Sequence, residues 1–325
     1  MKKYFEFKKQ RSFDNIVEST FKFFRNHIKP MMLIVWKYNK ITLIGLVLSY
    51  FLYSYYSYNM LGNVWGALLK QDTTEALTKN TNPMVSVINL VFLIFSFIFF
   101  TRFTLTVYAY IKSYIEHKGQ INEREIMRYV SDKFWPFVGA SILLGILLFF
   151  VILVAVLIFA GLSVAGSVGV VIGVLLFVPL FFYILVFANL FYSVYLLDNV
   201  QAGDTISITM KYLKNKFWFS FLVLAVIWII ILMLGSVFQA PLFIVGLSKG
   251  LLAYKDPQSF DLSTTENLVI AFFSVISLAG QTILKVLSLI GSAILFFTLK
   301  EYHTNEGLLE KLDEIGNTDE ENTDI

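Results

Sequence analysis

The sequence predicts an all-α integral membrane protein, a polytopic bundle of six transmembrane helices arranged as three repeats of an amphipathic elbow helix and a hairpin. Composition is the first reason: 57% of the 325 residues are hydrophobic and 15% are charged, whereas a soluble domain averages about 25% charged residues. Six apolar stretches are the second reason, because a helical span needs about 20 such residues. A ten-residue pattern of basic, aromatic and apolar residues that occurs three times is the third.

The chain opens with a basic segment, residues 1–12, which we expect to be mobile. Residues 13–29 have apolar side chains at helical spacing and predict a short amphipathic helix. Its lysine- and arginine-rich polar face favours a position at the level of the lipid headgroups, with a helix packed on the protein surface as the alternative. Pro30 is expected to end this helix.

The six spans follow from the apolar stretches and the polar loops between them. We predict them at about 31 or 41 to 58, 84–111, 137–160, 170–197, 219–246 and 268–299. The third and fourth are joined by the short segment 161–169, rich in small residues, which forces an antiparallel hairpin. Gly169 and Gly173 in this hairpin form a pair of small residues that lets two helices approach closely.

Prolines and polar residues predict irregularities inside two spans. Pro179 is expected to kink the fourth span. Gly235, Gln239 and Pro241 are expected to interrupt the fifth, and a broken helix exposes backbone that must line protein or a cavity.

The repeated ten-residue pattern, which we call the elbow, occurs at 22–31, 128–137 and 211–220. Each copy alternates basic, aromatic and apolar residues and opens onto an apolar stretch. The repeats are predicted at about 13–111, 119–197 and 202–299, within one membrane domain of residues 1–300. Trp135, Trp218 and Lys29 are the predicted interfacial anchors. The alternative is chance similarity among basic, aromatic juxtamembrane sequences.

Basic side chains predict the orientation. Of the 26 lysines and arginines, 20 lie in segments that would share one side of the membrane, four lie in the opposite loops, and Arg102 and Lys285 lie within spans. The positive-inside rule then places both termini in the cytoplasm and the protein in the cell (inner) membrane. Residues 301–325, with nine carboxylates and one lysine, form a predicted acidic cytoplasmic tail that either meets the basic N-terminal segment or stays solvated.

Signatures of catalysis are scarce. The chain has no cysteine, and His27, His117 and His303 are far apart without metal-ligand spacing, so we expect them to be solvated. The predicted spans contain no Asp or Glu, which counts against a proton-driven carrier. We therefore predict a protein that is not an enzyme, has no cofactor and binds no nucleic acid.

Three polar residues inside spans give a hypothesis for a site. Lys285 lies deep in the sixth span, and Gln281 lies one turn earlier on the same face. A charge at this depth often marks function, and we hypothesise one outward-facing polar pocket formed by Lys285, Gln281 and Gln239. The alternative is a structural lysine that extends to the outer interface or bonds to carbonyls.

Three further polar residues have simpler interpretations. Arg102 lies near the inner end of the second span and is expected to extend to the cytoplasmic headgroups. Asn89 and Asn189 are expected to form hydrogen bonds between helices.

The sequence resembles a known group at two places, the opening Phe13-Asp14-Asn15-Ile16-Val17 with its continuation Thr20–Asn26, and the segments 299–302 and 306–309 after the last span. Together with six spans, these look like a broad, little-characterised family of bacterial membrane proteins similar to the membrane domain of glycerophosphodiester phosphodiesterases. The resemblance implies an integral membrane domain. It carries over no catalytic residue, because nothing here matches that enzyme's metal site.

Three functions remain open from the sequence. A scaffold or accessory subunit of the cell envelope, with membrane or cytoplasmic protein partners, is favoured by the lack of catalytic signatures. A transporter or channel subunit with a polar site around Lys285 is the alternative, and an intramembrane enzyme has the least support. The bilayer itself is a partner in each case, and the basic elbows favour anionic lipids at the inner leaflet.

Overall fold

The computed structural model describes residues 4–70, 83–255 and 263–305, and the side chains of all of these except 58–70 and 250–255. Within these ranges the chain forms seven helices and no strand. They are α1 (Phe13–Lys70), α2 (Pro83–Glu116), α3 (Glu123–Ser163), α4 (Gly166–Leu197), α5 (Ala202–Leu213), α6 (Phe217–Lys255) and α7 (Thr264–Thr304). All but α5 are long and apolar enough to cross a membrane. The chain is a multi-pass, all-helical membrane protein, and the predicted number of spans is confirmed.

The described chain divides into two compact units. Unit 1 comprises the described parts of Met1–Met31, Thr104–Trp228 and Leu287–Ile325, and unit 2 those of Met32–Phe103 and Ile229–Val286. Helices α1, α2, α6 and α7 contribute to both units, whereas α3, α4 and α5 belong to unit 1 alone.

Two expected helix ends are absent. Pro30 lies inside α1, so residues 13–29 do not form a separate helix but begin a helix of 58 residues. Pro241 lies inside α6, so the expected interruption of the fifth span at Gln239 is wrong. The reason is the cost of a helix end: one proline removes one backbone hydrogen bond, whereas an end leaves four N–H or four C=O groups without helical partners. In an apolar medium the single lost bond costs less.

The three elbows differ in structure. The first two continue into their spans, with Pro30 and Pro136 inside α1 and α3. The third breaks after Leu213, where Lys214 has φ −58° and ψ 125° and Asn215 has φ 65°, before α6 begins. Asparagine adopts this left-handed conformation more readily than most residues. Only the third elbow is thus preceded by a separate amphipathic helix, and the threefold repeat stays a prediction.

The separate helix α5 packs by one face. Its buried residues are Thr205, Thr209, Tyr212 and Leu213. This spacing of four and three places them on one side of the helix.

The core of unit 1 joins the C-terminal parts of α2, α4 and α7. Two pairs of polar groups lie within it: the hydroxyls of Tyr108 and Ser193 lie 2.8 Å apart, and Tyr129 donates to the carbonyl oxygen of Leu196 at 2.6 Å. Just beyond α4, the Asp198 carboxylate accepts a hydrogen bond from Lys300 Nζ at 2.7 Å. Because buried polar groups are costly unless paired, these bonds fix which helix ends meet.

The α3–α4 hairpin is tight, as its small residues predict. A turn of two residues, Val164 and Ala165, joins the helices, and Gly166 has a φ of 72° that suits glycine. A Cβ added at Gly169 would overlap the carbonyl oxygen of Leu162, and one at Gly173 would lie 2.6 Å from Phe159 Cδ2. The expected close approach at these two glycines is therefore present in the structure.

Helix α7 supplies the core in both units. In its most apolar window 78% of the residues are buried, against 11–28% in the windows of the other five spans. Small residues allow this packing: a Cβ at Gly280 would lie 2.5 Å from Phe238 Cγ in unit 2, and one at Gly291 would lie 2.6 Å from Ile227 Cδ1 in unit 1. The other spans present their exposed apolar side chains to lipid.

The hairpin gives a test of close packing. We expect Gly169→Ala to lower the free energy of unfolding by about 1–3 kcal/mol, because a backbone oxygen blocks the added methyl group. Gly145→Ala is the matched control in the same hairpin, since a Cβ there meets nothing within 4 Å. The control should keep or raise the melting temperature, as alanine favours a helix over glycine by about 1 kcal/mol. Thermal unfolding in detergent measures both; equal losses of melting temperature would contradict close packing at Gly169.

Candidate functional site

Lys285, the charge deepest in the predicted sixth span, contacts an aromatic ring. Its Nζ lies 4.6 Å from the ring centroid of Phe100, and both residues belong to unit 2. The lysine side chain is half-buried. A cation over a ring is stabilised by about 0.5–2 kcal/mol, depending on desolvation. This contact places the Lys285 charge beside an aromatic ring within unit 2.

The other two residues of the hypothesised pocket have different surroundings. Gln281 Nε2 donates to Ser277 Oγ at 3.0 Å, one turn earlier on α7. Gln239 is exposed on α6. Within the described residues no hydrogen bond joins Lys285, Gln281 and Gln239, so the structure does not bring them together as a hydrogen-bonded pocket.

The other three polar residues predicted within spans have separate surroundings. Asn189 donates to the carbonyl oxygen of Leu185 at 2.8 Å within α4, where a bond between helices was expected. Asn89 is exposed on α2, and Arg102 is half-buried.

The three predicted interfacial anchors lie on the surface. Trp135 and Trp218 are 74% and 67% exposed, and Lys29 is exposed on α1. Indole rings with this exposure suit contact with lipid headgroups.

The described structure contains a cavity that the sequence did not indicate. It has a volume of about 860 Å³ and lies in unit 1, between the N-terminal segment, the first turns of α1 and the α2–α3 turn. Four basic residues line it, Lys9, Arg11, Lys22 and Lys118, together with Glu6.

One wall of the cavity is the N-terminal segment, and residues 4–12 are packed where mobility was expected. Phe7 is fully buried, with its ring centroid 5.0 Å from that of Phe23 and 5.8 Å from that of Phe297. The Phe5 N–H donates to the Tyr114 hydroxyl at 2.9 Å. Burial of the aromatic residues between the lysines outweighs the tendency of a basic segment to stay in solvent. Phe5 and Phe7 were the available sequence signal.

Arg11 holds the N-terminal segment in a loop. Its guanidinium donates to the carbonyl oxygens of Phe7 at 2.8 Å, of Lys9 at 3.2 Å and of Glu6. Burial lowers the pKa of the Arg11 side chain, and the Glu6 carboxylate opposes this. Its charge is thus used to satisfy backbone carbonyls that the loop turns inward.

The two ends of the described chain meet beside the cavity. Gln10 Nε2 donates to the Glu301 carbonyl oxygen at 3.1 Å and to Asn305 Oδ1 at 3.0 Å. The Tyr302 hydroxyl donates to the Arg11 carbonyl oxygen at 3.4 Å. The part of the predicted acidic tail beyond Asn305 lies outside the described residues.

His27 belongs to an aromatic cluster at the base of the cavity. Its ring stacks on Phe23 with centroids 4.3 Å apart, and its Nδ1 lies 2.9 Å from the Tyr110 hydroxyl. The stacking could be predicted, because Phe23 and His27 are four residues apart on α1. The contact of His27 with Tyr110 on α2 could not, because these residues are 83 positions apart in the sequence. The prediction of a solvated histidine is wrong for His27. His117 and His303 each contact a backbone carbonyl of their own helix end.

The α2–α3 turn forms the third wall. Lys118 and Gly119 have φ values of 47° and 103°, and the Gly119 N–H donates to the Tyr114 carbonyl oxygen at 2.8 Å. This is the Schellman arrangement that ends many helices. It places Lys118 and Gln120 at the cavity.

The cavity combines basic side chains with aromatic walls. Within the described ranges, no group of three His, Asp or Glu residues is placed to hold a metal ion. The basic groups of the cavity suit binding of an anion.

Comparison of the chain with protein-family models, curated proteins and solved structures finds no match.

Packing of the N-terminal segment is testable through Phe7. We expect Phe7→Ala to lower the free energy of unfolding by about 3–5 kcal/mol, the usual cost of deleting a buried phenylalanine. Residues 4–12 should then separate from the rest of unit 1. Cleavage after Lys8, Lys9 and Arg11 should require a lower trypsin concentration in the variant than in the native protein. Phe13→Ala is the control, since that ring is 37% exposed. Unchanged cleavage of the Phe7→Ala protein would contradict the packed segment.

The role of Lys285 is testable by a double-mutant cycle with Phe100. We expect Lys285→Met to cost little, because the lost cation–π contact is offset by removal of a desolvated charge. Phe100→Leu should lower the free energy of unfolding more in the native protein than in the Lys285→Met variant. The difference between the two losses, which is the coupling energy, should be about 0.5–2 kcal/mol. Melting temperatures in detergent measure all four proteins. A coupling of zero would show that the ring does not stabilise the charge.

Proposed function

We propose that this protein is a non-enzymatic membrane scaffold or accessory subunit in the cell envelope. It would lie in the inner membrane with both termini in the cytoplasm, and would bind membrane or cytoplasmic proteins. The orientation rests on the placement of 20 of the 26 basic side chains.

One observation carries the proposal: unit 1 joins three polar segments distant in sequence into one surface. Gln10 bonds Glu301 and Asn305, and Phe5 bonds Tyr114 beside the α2–α3 turn. Surfaces held by several hydrogen bonds are pre-organised, which reduces the entropy lost when a partner binds. Arg124 and Arg128 are exposed in the first turns of α3, which follow the α2–α3 turn.

The polar groups within the spans support the same proposal. Gln281, Asn189 and Thr298 form hydrogen bonds within their own helices, and Lys285 contacts a ring. A transport pathway usually gathers several polar groups around a discontinuous helix. Here α6 and α7 are continuous, and Phe238 fills the space against Gly280.

The second candidate is a transporter or channel subunit with a polar site around Lys285. A charged residue within a span is costly and often functional, and this observation favours it. The resemblance to the membrane domain of glycerophosphodiester phosphodiesterases is compatible with either candidate.

Purification of the full chain from its native membranes tests the proposal. We expect a protein partner at constant stoichiometry. Charge reversal by Arg124→Glu and Arg128→Glu should reduce its recovery at least several-fold, because reversed charges repel a complementary surface. The charge-conserving pair Arg124→Lys and Arg128→Lys is the control and should retain the partner. A lone monodisperse protein that binds a solute, with binding lost in Lys285→Met, would reverse the order of the two candidates.

A further inference from the structure

The cavity of unit 1 has an excess of positive charge. Lys9, Lys22, Lys118 and Arg11 line it, against the single carboxylate of Glu6. Arg11 donates to backbone carbonyls, and the three lysines add further positive charge to the lining. They come from three separate segments: the N-terminal segment, α1 and the α2–α3 turn. Cations converging from three directions favour an anion with several oxygens.

The polar face of α1 adds neutral hydrogen-bonding groups. Asn15, Ser19, Lys22 and Asn26 line the cavity at spacings of four, three and four residues, which places them on one helical face. The adjacent, buried stripe includes Ile16, Thr20 and Phe23, the last of which also borders the cavity. The amphipathic pattern of residues 13–29 therefore orients a row of amide and hydroxyl groups into the cavity.

The remaining wall is aromatic. Phe5, Phe23, Tyr4 and Tyr114 line it, and the rings of Tyr4 and Tyr114 stack with centroids 5.5 Å apart. A cavity of about 860 Å³ lies in the size range of small-molecule sites, about 300–1,000 Å³, and exceeds what one inorganic anion fills. The ligand should therefore carry a less polar body beside its anionic group.

We propose that this cavity binds a phosphate-bearing molecule, with the phosphate among Lys9, Lys22 and Lys118 and the rest of the molecule against the aromatic wall. A phosphate monoester carries a charge of about −1.5 to −2 and three acceptor oxygens, which matches three lysines and neighbouring amides better than a carboxylate does. A lipid headgroup and a soluble phosphorylated metabolite share this chemistry. The proposal uses no protein partner, so it stands apart from the scaffold function.

Binding to the purified full chain in detergent tests the proposal, with titration calorimetry as the readout. The probes are dihexanoyl phosphatidic acid for the lipid source and adenosine monophosphate for the soluble source. Dihexanoyl phosphatidylcholine and succinate are the matched controls for chain length and for carboxylate charge. We expect saturable binding of at least one phosphate monoester and tighter binding of it than of either control.

Variants then assign the binding to the cavity. Lys9→Gln combined with Lys22→Gln should weaken the affinity at least about tenfold, because each lysine contributes a charge-assisted hydrogen bond. Both side chains are exposed, so the melting temperature should not change. Lys29→Gln, two turns beyond Lys22 on α1 and outside the cavity lining, should bind within about twofold of the native chain.

The outcomes separate the sources and the proposal itself. Phosphatidic acid binding that adenosine monophosphate does not displace identifies a lipid headgroup, and the converse identifies a soluble ligand; both support the proposal. No saturable binding of either monoester at millimolar concentration overturns it. Succinate binding as tightly, or an equal loss of affinity in Lys29→Gln and the double variant, overturns it as well.

Discussion

The structure depends on one constraint: in an apolar medium every backbone N–H and C=O must find a partner within the protein. This constraint keeps α1, α3 and α6 helical through Pro30, Pro136 and Pro241, although the sequence predicts a helix end at Pro30 and an interruption at Pro241. Irregular backbone is confined to the connections. Among the described residues, the non-glycine positions with positive φ lie in the turns between helices or directly after α7; they are Lys118, Asn199, Asn215 and Asn305.

Several polar side chains in the spans are satisfied in the same way, within the protein. Hydroxyl and amide groups donate to the carbonyl oxygen four residues earlier, as in Thr20 to Ile16 and Thr282 to Leu278. A side chain satisfied within its own helix can face lipid or a neighbouring helix at low cost. Polar residues in these spans therefore need not converge, and the polar character of the protein concentrates instead where the N-terminal segment, the α2–α3 turn and residues 301–305 meet.

The spans were predictable because hydropathy and length are local properties, and the tight α3–α4 hairpin because its small residues are adjacent in sequence. The elbows were not, since copies with a similar order of basic and aromatic residues give a continuous helix through Pro30 and a break in the third copy, which lacks proline. The cavity was beyond local reasoning as well. Its walls depend on contacts such as Phe7 with Phe297 and His27 with Tyr110, which pair residues far apart in the chain. The lysines and arginine of the N-terminal segment are compatible with either a solvated or a packed segment. Only Phe5 and Phe7 indicated packing.

The burial of α7 has a consequence for biosynthesis. This helix contributes to the core in both units, yet it is synthesised after the other five described spans. The five earlier spans therefore enter the bilayer before α7 can cover the faces that it buries in the finished structure, and lipid covers those faces until then. Their windows include the most apolar in the chain, in α3, α4 and α6. Insertion and folding are thus separated in time, because neither core is complete until α7 has been inserted.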